Sequence, residues 1–413
     1  MISRLFRLFG FAIIFAICFP GAGHVADFKV SRAISMDQWV EWPGPDRWNE
    51  PAVVENFPEW LRFVNDDELR YLRQAGLDTV RLPIDPGFLL QSGDIVRTNT
   101  ALEGVKRAID RLRAADLKVI VDMHTIPRGD SNAIGIEKVQ SDPQVFDAYL
   151  NLVGQIAARL RDYSPNDVAF ELINEPTIDC IDKTAQTTYE NMLRRLHAAA
   201  RAKNPDITLV FTGACLGKAE GLQVINPAIV NDENTIWTFH HYEPFKLTHQ
   251  SATWAGPWVE HIANIPYPPS RLSNAEAAAL IEENKTRIFA SLIGEQAMKI
   301  ADGTRYDIDR LRSDAELVRE MTEPFEKVAA WADQHGIARD RIFLGEFGMI
   351  RQEWERPAAT RAEWRIGFIR DIISLSERHG FGWSMWSFGG AFGMVQEFSG
   401  NSLDNPLVDE VLR

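Results

Sequence analysis

Two glutamates stand just after predicted strands, where their carboxyl groups could do acid–base chemistry. An apolar run at 168–172 leads into Asn174 and Glu175, and a proline then ends the regular structure. Glu346 follows a similar run at 341–344. Cleavage of a glycosidic bond needs such a pair, since one carboxyl group protonates the glycosidic oxygen while the other acts as nucleophile or base. Turns of this composition also occur for structural reasons. The prediction of a glycosidase site therefore depends on both glutamates together and not on either one alone.

Other strand ends carry polar or aromatic residues as well. In chain order the full set is Arg81, His124, Asn174 with Glu175, His240 with Tyr242, Glu346, and Trp386. In a barrel of parallel strands, the C-terminal ends of the strands hold the functional residues. Carboxylates on the fourth and seventh strands would face each other across a narrow mouth. That arrangement allows the separation of about 5 to 5.5 Å found in retaining glycosidases, whereas inverting enzymes need a wider gap.

The elements that must position these residues alternate between short apolar strands and amphipathic helices. Eight strands are predicted, at 28–35, 79–82, 119–123, 168–172, 208–212, 235–239, 341–344 and 382–386. Eight repeats of strand and helix predict a (β/α)8 TIM barrel. A doubly wound open sheet is the alternative. It normally has a glycine-rich first turn, and residues 36–42 contain no glycine.

One connection is too long for a simple crossover. About a hundred residues separate His240 from Arg341 without a clear strand, and helical patterns occur near 274–298 and 313–335. We expect an excursion over the mouth of the barrel between strands 6 and 7. Four prolines would shape its start: Pro257, Pro266, Pro268 and Pro269.

The N-terminus has the pattern of a secretory signal peptide. Arg4 and Arg7 precede an apolar run at 8–19, which is too short to span a bilayer comfortably, and small residues follow. We therefore predict a signal peptide at 1–26, a catalytic domain at 27–413, and export to the periplasm or the extracellular space. An N-terminal anchor that is never cleaved, which would make this a surface-anchored envelope protein, is the alternative.

Charge and missing motifs exclude several function classes. The formal net charge of −14 becomes −16 once Arg4 and Arg7 are removed, which disfavours nucleic acid, anionic membranes and polyanionic substrates. The sequence has no His-Glu-x-x-His, phosphate loop, Gly-x-Ser-x-Gly or Cys-x-x-Cys motif. We expect a monomer that acts on a neutral polysaccharide or oligosaccharide without metal or cofactor.

Two cysteines remain after the signal peptide. Cys180 and Cys215 both follow predicted strands, so they would lie on neighbouring loops. In an oxidising compartment they could form a disulfide, and two buried free thiols are the alternative.

Six motifs at the strand ends occur together in a fixed order. They are Val80-Arg81-Leu82-Pro83, Asp122-Met123-His124, Asn174-Glu175-Pro176, His240-His241-Tyr242, Gly345-Glu346-Phe347-Gly348 and Trp383-Ser384-Met385-Trp386. In combination they resemble glycoside hydrolase family 5, the large cellulase family of the (β/α)8 hydrolase clan. The resemblance runs from Ser35 through Phe388. The segment 242–254 is also similar to a bacterial branch of that family.

The resemblance implies a role for each strand-end residue. Glu175 would be the acid/base and Glu346 the nucleophile, and Asn174 would bind the 2-hydroxyl of the sugar in subsite −1. Arg81 and Tyr242 would hold Glu346 ionised and in place. The other three strand-end residues, His124, His240 and Trp386, would line the site. His240 would lie near the acid/base, and Trp386 would form the floor of subsite −1.

Other residues near the motifs have a functional and a structural interpretation. Trp254 is the strongest candidate for a further sugar platform, because aromatic faces match the apolar faces of sugar rings. Three more tryptophans could serve similarly: Trp39, Trp42 and Trp258. We expect packing or ion-pair roles for six other residues near the motifs: Asp85, Asp122, Glu171, Trp237, Trp331 and His241. Glu171 would face solvent or form an ion pair within the barrel.

The combined prediction is a retaining β-glycoside hydrolase, specifically an endo-β-1,4-glucanase. A β-mannanase or exo-β-1,3-glucanase would use the same catalytic apparatus, because the difference between them lies in loops. A non-catalytic glycan-binding barrel is the alternative from another class. Such a protein would have no need for both glutamates together with Arg81 and Tyr242.

Overall fold

The protein is a closed barrel of eight parallel strands surrounded by helices. The computed structural model describes residues 27–42, 44–54, 64–129, 132–353, 355–396 and 403–412. The predicted signal peptide at 1–26 therefore lies outside the described residues and stays a prediction. No helix among the described residues combines the length and apolar character that crossing a membrane requires.

The strands pair in sequence order, and the last pairs with the first. They are β1 (Arg32–Ser35), β2 (Thr79–Ile84), β3 (Lys118–Met123), β4 (Val168–Glu171), β5 (Thr208–Thr212), β6 (Thr235–His240), β7 (Ile342–Phe347) and β8 (Gly382–Met385). This topology confirms the (β/α)8 prediction.

Helices cover the outside of the barrel and occupy several loops. They are α1 (Asp66–Gln74), α2 (Pro86–Gln91), α3 (Ile95–Ala114), α4 (Ile136–Ser141), α5 (Pro143–Arg159), α6 (Lys183–Arg201), α7 (Ala219–Gln223), α8 (Phe245–Thr248), α9 (Pro257–Glu260), α10 (Asn274–Ser291), α11 (Gly294–Leu311), α12 (Asp314–Gln334), α13 (Ala362–His379) and α14 (Asn405–Leu412). Several begin at side-chain caps; Asp142, for example, accepts from the backbone of Gln144 at the start of α5.

The first strand is shorter than predicted. Its ladder begins only at Arg32, which pairs with Trp383, whereas Phe28 and Val30 are buried within the barrel. They form one apolar cluster with inward residues of five other strands, including Ile120 and Phe343. Burial rather than strand pairing therefore explains the apolar character of 28–31.

The connection from β6 to β7 contains a helical hairpin of two helices. α10 and α11 pack against each other, and α11 begins at Gly294, whose φ of +65° allows the chain to turn there. Lys246 in α8 contacts Asp307 in α11 at 2.7 Å, which ties the hairpin to the loop at the barrel mouth. α12 then packs against α7 and α13, so it serves as the barrel's own crossover helix.

Candidate active site

A cavity of about 700 Å³ opens at the C-terminal end of the strands. All the residues predicted from the strand ends line it, together with Trp254, except Arg81, which is fully buried beneath its floor. The lining residues of the excursion all fall between Tyr242 and Ala255. None comes from 256–345, a stretch the structure describes throughout. The expected excursion over the mouth is therefore right for its first segment and wrong for the α10–α11 hairpin, which packs to one side.

The two strand-end glutamates meet in this cavity. Glu175 and Glu346 contribute carboxylate oxygens that, with a ring nitrogen of His240, all lie within 4.8 Å of one another. The His240 Nδ1 atom is 2.7 Å from Glu175 Oε1 and 3.6 Å from Glu346 Oε2. Such closeness suits direct attack by one carboxylate on a sugar carbon, whereas inverting enzymes hold their two carboxyl groups farther apart.

Arg81 connects several polar side chains at the base of the cavity. It donates to both oxygens of Glu171 at 2.7 and 2.9 Å, to Glu346 Oε1 at 2.7 Å and to Asn174 Oδ1 at 2.8 Å. Asp122 lies 3.0 Å away. Burial by itself lowers the pKa of Arg81, but the surrounding carboxylates outweigh it and raise the pKa well above the ordinary value. The arginine is thus a permanent cation that fixes the Glu346 carboxylate and the Asn174 amide.

Both oxygens of Glu346 have a donor. Arg81 binds Oε1, and the Tyr242 hydroxyl donates to Oε2 at 3.0 Å. Burial and the neighbouring Glu346 raise the pKa of Tyr242 well above its usual range, so the hydroxyl keeps its proton and remains a donor. Glu346 is only 4% exposed, and these two bonds hold its carboxylate in one orientation.

Glu175 has a different environment. Burial raises its pKa to about 7, although His124 and Arg81 act in the opposite direction. Burial also lowers the pKa of His240 to about 4, so this ring is neutral near neutral pH. A proton can therefore lie between His240 Nδ1 and Glu175 Oε1. The two carboxyl groups of the site thus occupy different environments, which is the condition for one acid and one nucleophile.

His124 and Trp386 form the wall beside Glu346. Their rings stack with centroids 5.1 Å apart and an interplanar angle of 11°. Burial lowers the pKa of His124, but Asp122, whose Oδ2 is 2.7 Å from His124 Nδ1, outweighs it and raises the pKa to about 10. The wall therefore combines an aromatic face with a cationic ring edge.

Several lining residues were missed by the motif-based prediction. Asp37 and Glu41 follow β1, and Lys218 and Glu243 follow β5 and β6. Asp37 accepts a hydrogen bond from Gly389 N at 3.0 Å, and burial raises its pKa to about 7. Position just after β1 was the available signal for Asp37.

Other predicted residues have structural positions. Trp39 and Trp42 are 2% and 6% exposed and lie in the hydrophobic core, so the structure contradicts their use as sugar platforms. Trp258 is 41% exposed but does not line the cavity, and its ring stacks on Phe245. Trp254, 56% exposed, reaches the cavity. The remaining structural predictions hold for the buried residues Trp237, Trp331 and His241.

Within the described residues, Glu175, His240 and Glu346 form the group with metal-ligand geometry. A metal ion bound there would occupy the space between the two carboxylates, which direct attack on a glycosidic bond would need to be free. Both carboxylates can act on a glycosidic bond directly.

The two cysteines left after the predicted signal peptide form a disulfide. Cys180 and Cys215 are joined, with their Cα atoms 5.8 Å apart. The bond connects the loop after β4, which carries Glu175, to the loop after β5.

Comparison with known families identifies the family of this chain. A sequence model described as cellulase (glycosyl hydrolase family 5) matches residues 46–392. The chain belongs to this family. As a family member it is a glycosidase, and its substrates are polysaccharides or oligosaccharides. Endoglucanase C of Acetivibrio thermocellus is 23% identical over 343 residues, which cover 83% of this chain and 88% of that relative.

Other family relatives differ in their named substrates. Probable glucan 1,3-beta-glucosidase A of Aspergillus clavatus is 29% identical over 231 residues, covering 54% of this chain and 52% of that relative. Structures of Thermotoga maritima Cel5A with cellobiose and with mannotriose match with TM-scores of 0.62 and 0.61. They share 19% and 18% identity and cover 92% of this chain and 97% of theirs. These structural matches support the barrel fold.

Proposed function

We propose that this family 5 glycosidase is a retaining endo-β-1,4-glucanase, with Glu346 as nucleophile and Glu175 as acid/base. The observation that supports it best is the pair of carboxylates with oxygens within 4.8 Å, one held by Arg81 and Tyr242 and the other beside the neutral His240. This pair has the separation and the unequal environments that double displacement needs.

In the first step, an oxygen of Glu346 attacks the anomeric carbon of the sugar against the Trp386 wall. The bond from that carbon to the glycosidic oxygen breaks, and Glu175 gives its proton to the departing oxygen. Asn174, oriented by Arg81, binds the neighbouring hydroxyl. The products are a glycosyl ester on Glu346, an ionised Glu175 and a shortened glycan carrying the new hydroxyl.

In the second step, a water molecule replaces the departed glycan beside Glu175. Ester formation has removed the negative charge of Glu346, and Glu175 is now the base that takes a proton from this water. The water oxygen attacks the anomeric carbon, and Glu346 leaves as a carboxylate. Two displacements at one carbon restore the original configuration, and Glu175 regains its proton.

The β-1,4-glucan assignment rests on the relatives and on the cleft. Endoglucanase C covers most of this chain, and Trp254 offers an exposed aromatic face beside the cavity. A β-mannanase or an exo-β-1,3-glucanase is the second candidate, because Aspergillus clavatus and Thermotoga maritima relatives are named with those sugars.

Product analysis on a panel of polymers tests the assignment. The purified protein should rapidly lower the viscosity of carboxymethylcellulose and mixed-linkage glucan, with less change on glucomannan, xyloglucan and laminarin. Glu175→Ala is the control and should produce no viscosity drop. Activity confined to glucomannan or laminarin would show that one of these polymers, rather than a β-1,4-glucan, is the substrate. No activity on any polymer would contradict the proposed function.

The raised pKa of Glu175 predicts the pH dependence. Because Glu175 must be protonated to act as acid, kcat/KM for a cello-oligosaccharide should fall as pH rises through about 7. A 2,4-dinitrophenyl cellobioside, whose leaving group needs no proton, should lack this fall. The measurement is a pair of pH–rate profiles, and a shared alkaline limb would argue against Glu175 as the acid.

We also propose that the mature chain is exported after loss of residues 1–26. The basic start and short apolar run support this proposal. Mass spectrometry of protein secreted by the expressing cell should find an N-terminus near Asp27, and an intact Met1 on membrane-bound protein would contradict it.

A further inference from the structure

The loop after β5 has a backbone that needs external support. Cys215, Leu216 and Gly217 have φ values of +53°, +59° and +71°. Left-handed backbone is unfavourable for residues with a side chain, and two such residues in succession are rare. Gly217 has a further requirement, since a Cβ there would lie 3.3 Å from the His240 ring. The loop is therefore held in an uncommon shape directly beside His240, the histidine that contacts Glu175.

Four contacts hold that shape, and three of them reach the β4 loop. Cys215 N donates to Ile178 O at 3.0 Å and Leu216 N donates to Pro176 O at 2.8 Å. The disulfide to Cys180 adds a covalent link between the same two loops. On the other side, His240 N donates to the oxygen of Gly217 at 2.8 Å. The β5 loop is thus fixed to the residues that follow Glu175 and to His240.

Two side chains of this loop project into the cavity. Leu216 is 41% exposed, and Lys218 is exposed and pairs with Glu243 at 3.1 Å. Their loop adjoins the β4 loop that carries Glu175, since Leu216 N donates to Pro176 O. In a glycosidase the acid lies on the side of the departing sugar, because it protonates the oxygen that sugar keeps. An apolar side chain next to a charged pair matches a sugar ring, which has an apolar face and a hydroxyl edge.

We propose that Leu216 and Lys218 form the binding subsite for the departing sugar, a neutral hexopyranose unit, and that the Cys180–Cys215 disulfide is a positioning element for this subsite. The proposal rests on the proposed glycosidase mechanism. Leu216 contacts the apolar ring face, while Lys218 and its partner Glu243 bind hydroxyls. The disulfide keeps the left-handed loop pressed against the β4 loop, so the subsite stays in register with Glu175.

The test compares a substrate whose departing group is a sugar with one whose departing group is an aryl alcohol. Cleavage of cellopentaose places a departing sugar in this subsite. Cleavage of 4-nitrophenyl β-cellobioside instead releases an aryl alcohol. Lys218→Ala should lower kcat/KM for cellopentaose by about tenfold, and at least fivefold more than for the aryl glycoside. Leu216→Ala should show the same preference. Lys285→Ala, which changes a lysine on the α10–α11 hairpin, is the matched control and should alter neither substrate.

Transfer to an added sugar gives a second readout. When cellobiose is supplied as acceptor, it must occupy the same subsite before it attacks the glycosyl ester. Both cavity variants should therefore form less transfer product from the aryl glycoside than the unchanged protein. Equal losses on cellopentaose and the aryl glycoside, with normal transfer, would overturn the subsite.

The role of the disulfide has its own variant. Cys180→Ser combined with Cys215→Ser should raise KM for cellopentaose several-fold and reduce transfer, while kcat/KM for the aryl glycoside changes less than twofold. A drop on both substrates to the same extent would assign the disulfide to general stability and overturn its positioning role. Inactivity of the unchanged protein on both substrates would instead contradict the proposed function, so the two failures are distinguishable.

Discussion

Replacing Glu346 by alanine is expected to lower kcat by about 10⁴-fold or more, because the variant has no group to form the covalent intermediate. Added azide should restore part of the activity on an activated aryl cellobioside. The small anion fits where the carboxylate was removed and attacks the anomeric carbon from that face, so the product should be the α-glycosyl azide. The measurement is turnover with and without azide, followed by NMR of the product.

The matched control is Glu363→Ala, an exposed glutamate in the first turn of α13. It should leave kcat unchanged. Glu175→Ala gives a complementary result, since azide would then attack the glycosyl ester on Glu346 and yield the β-glycosyl azide. If Glu346→Ala keeps its activity without azide, or if the two variants give the same azide anomer, the assignment of the two glutamates is wrong.

Replacing Arg81 by leucine is expected to remove activity and to lower the free energy of unfolding by about 3 to 5 kcal/mol. Arg81 is fully buried, and its loss would leave Asp122, Glu171 and Glu346 without their common cation. Leucine replaces only the apolar stem of the side chain, so the loss of the guanidinium charge and its hydrogen bonds dominates the expected effect. Denaturant unfolding followed by tryptophan fluorescence measures the change.

An exposed arginine provides the comparison for that experiment. Arg195 pairs with Asp147 on the surface, where both side chains are more than half exposed. Arg195→Leu should change the free energy of unfolding by less than about 1 kcal/mol, as exposed pairs do. A similar small change for Arg81→Leu would show that the buried carboxyl groups take up protons without cost, and would contradict the network's structural role.

The strand-end residues were predictable because, in a barrel, a residue's place at the end of a strand in the sequence also fixes its place at the mouth of the fold. Arg81, Glu175 and Glu346 each follow or end an apolar run, and closing the sheet brings those ends together. The helices and strands were predictable for the same reason, since short apolar strands and amphipathic helices have distinct periods.

Partners chosen by packing were not predictable. Glu171 sits on β4 itself, and sequence alone allowed either solvent or a barrel ion pair; the structure shows it buried with both oxygens on Arg81. Trp39 and Trp42 were candidate sugar platforms because aromatic faces match the apolar faces of sugar rings, yet both side chains are buried in the hydrophobic core. The direction of a side chain in an irregular loop depends on contacts with distant residues such as Phe88, which stacks on Trp42.

The buried charges beneath the cleft come from both halves of the chain. Arg81, Asp122 and Glu171 lie on β2, β3 and β4, whereas Glu346 arrives on β7 and is held by the same arginine. No half-barrel contains both glutamates of the pair. Catalytic activity therefore requires a closed barrel. A folding intermediate or a nicked chain without β7 in the barrel should be inactive, even if the first half of the barrel is folded. Recovery of activity after refolding should coincide with the final closure of the sheet and with no earlier event.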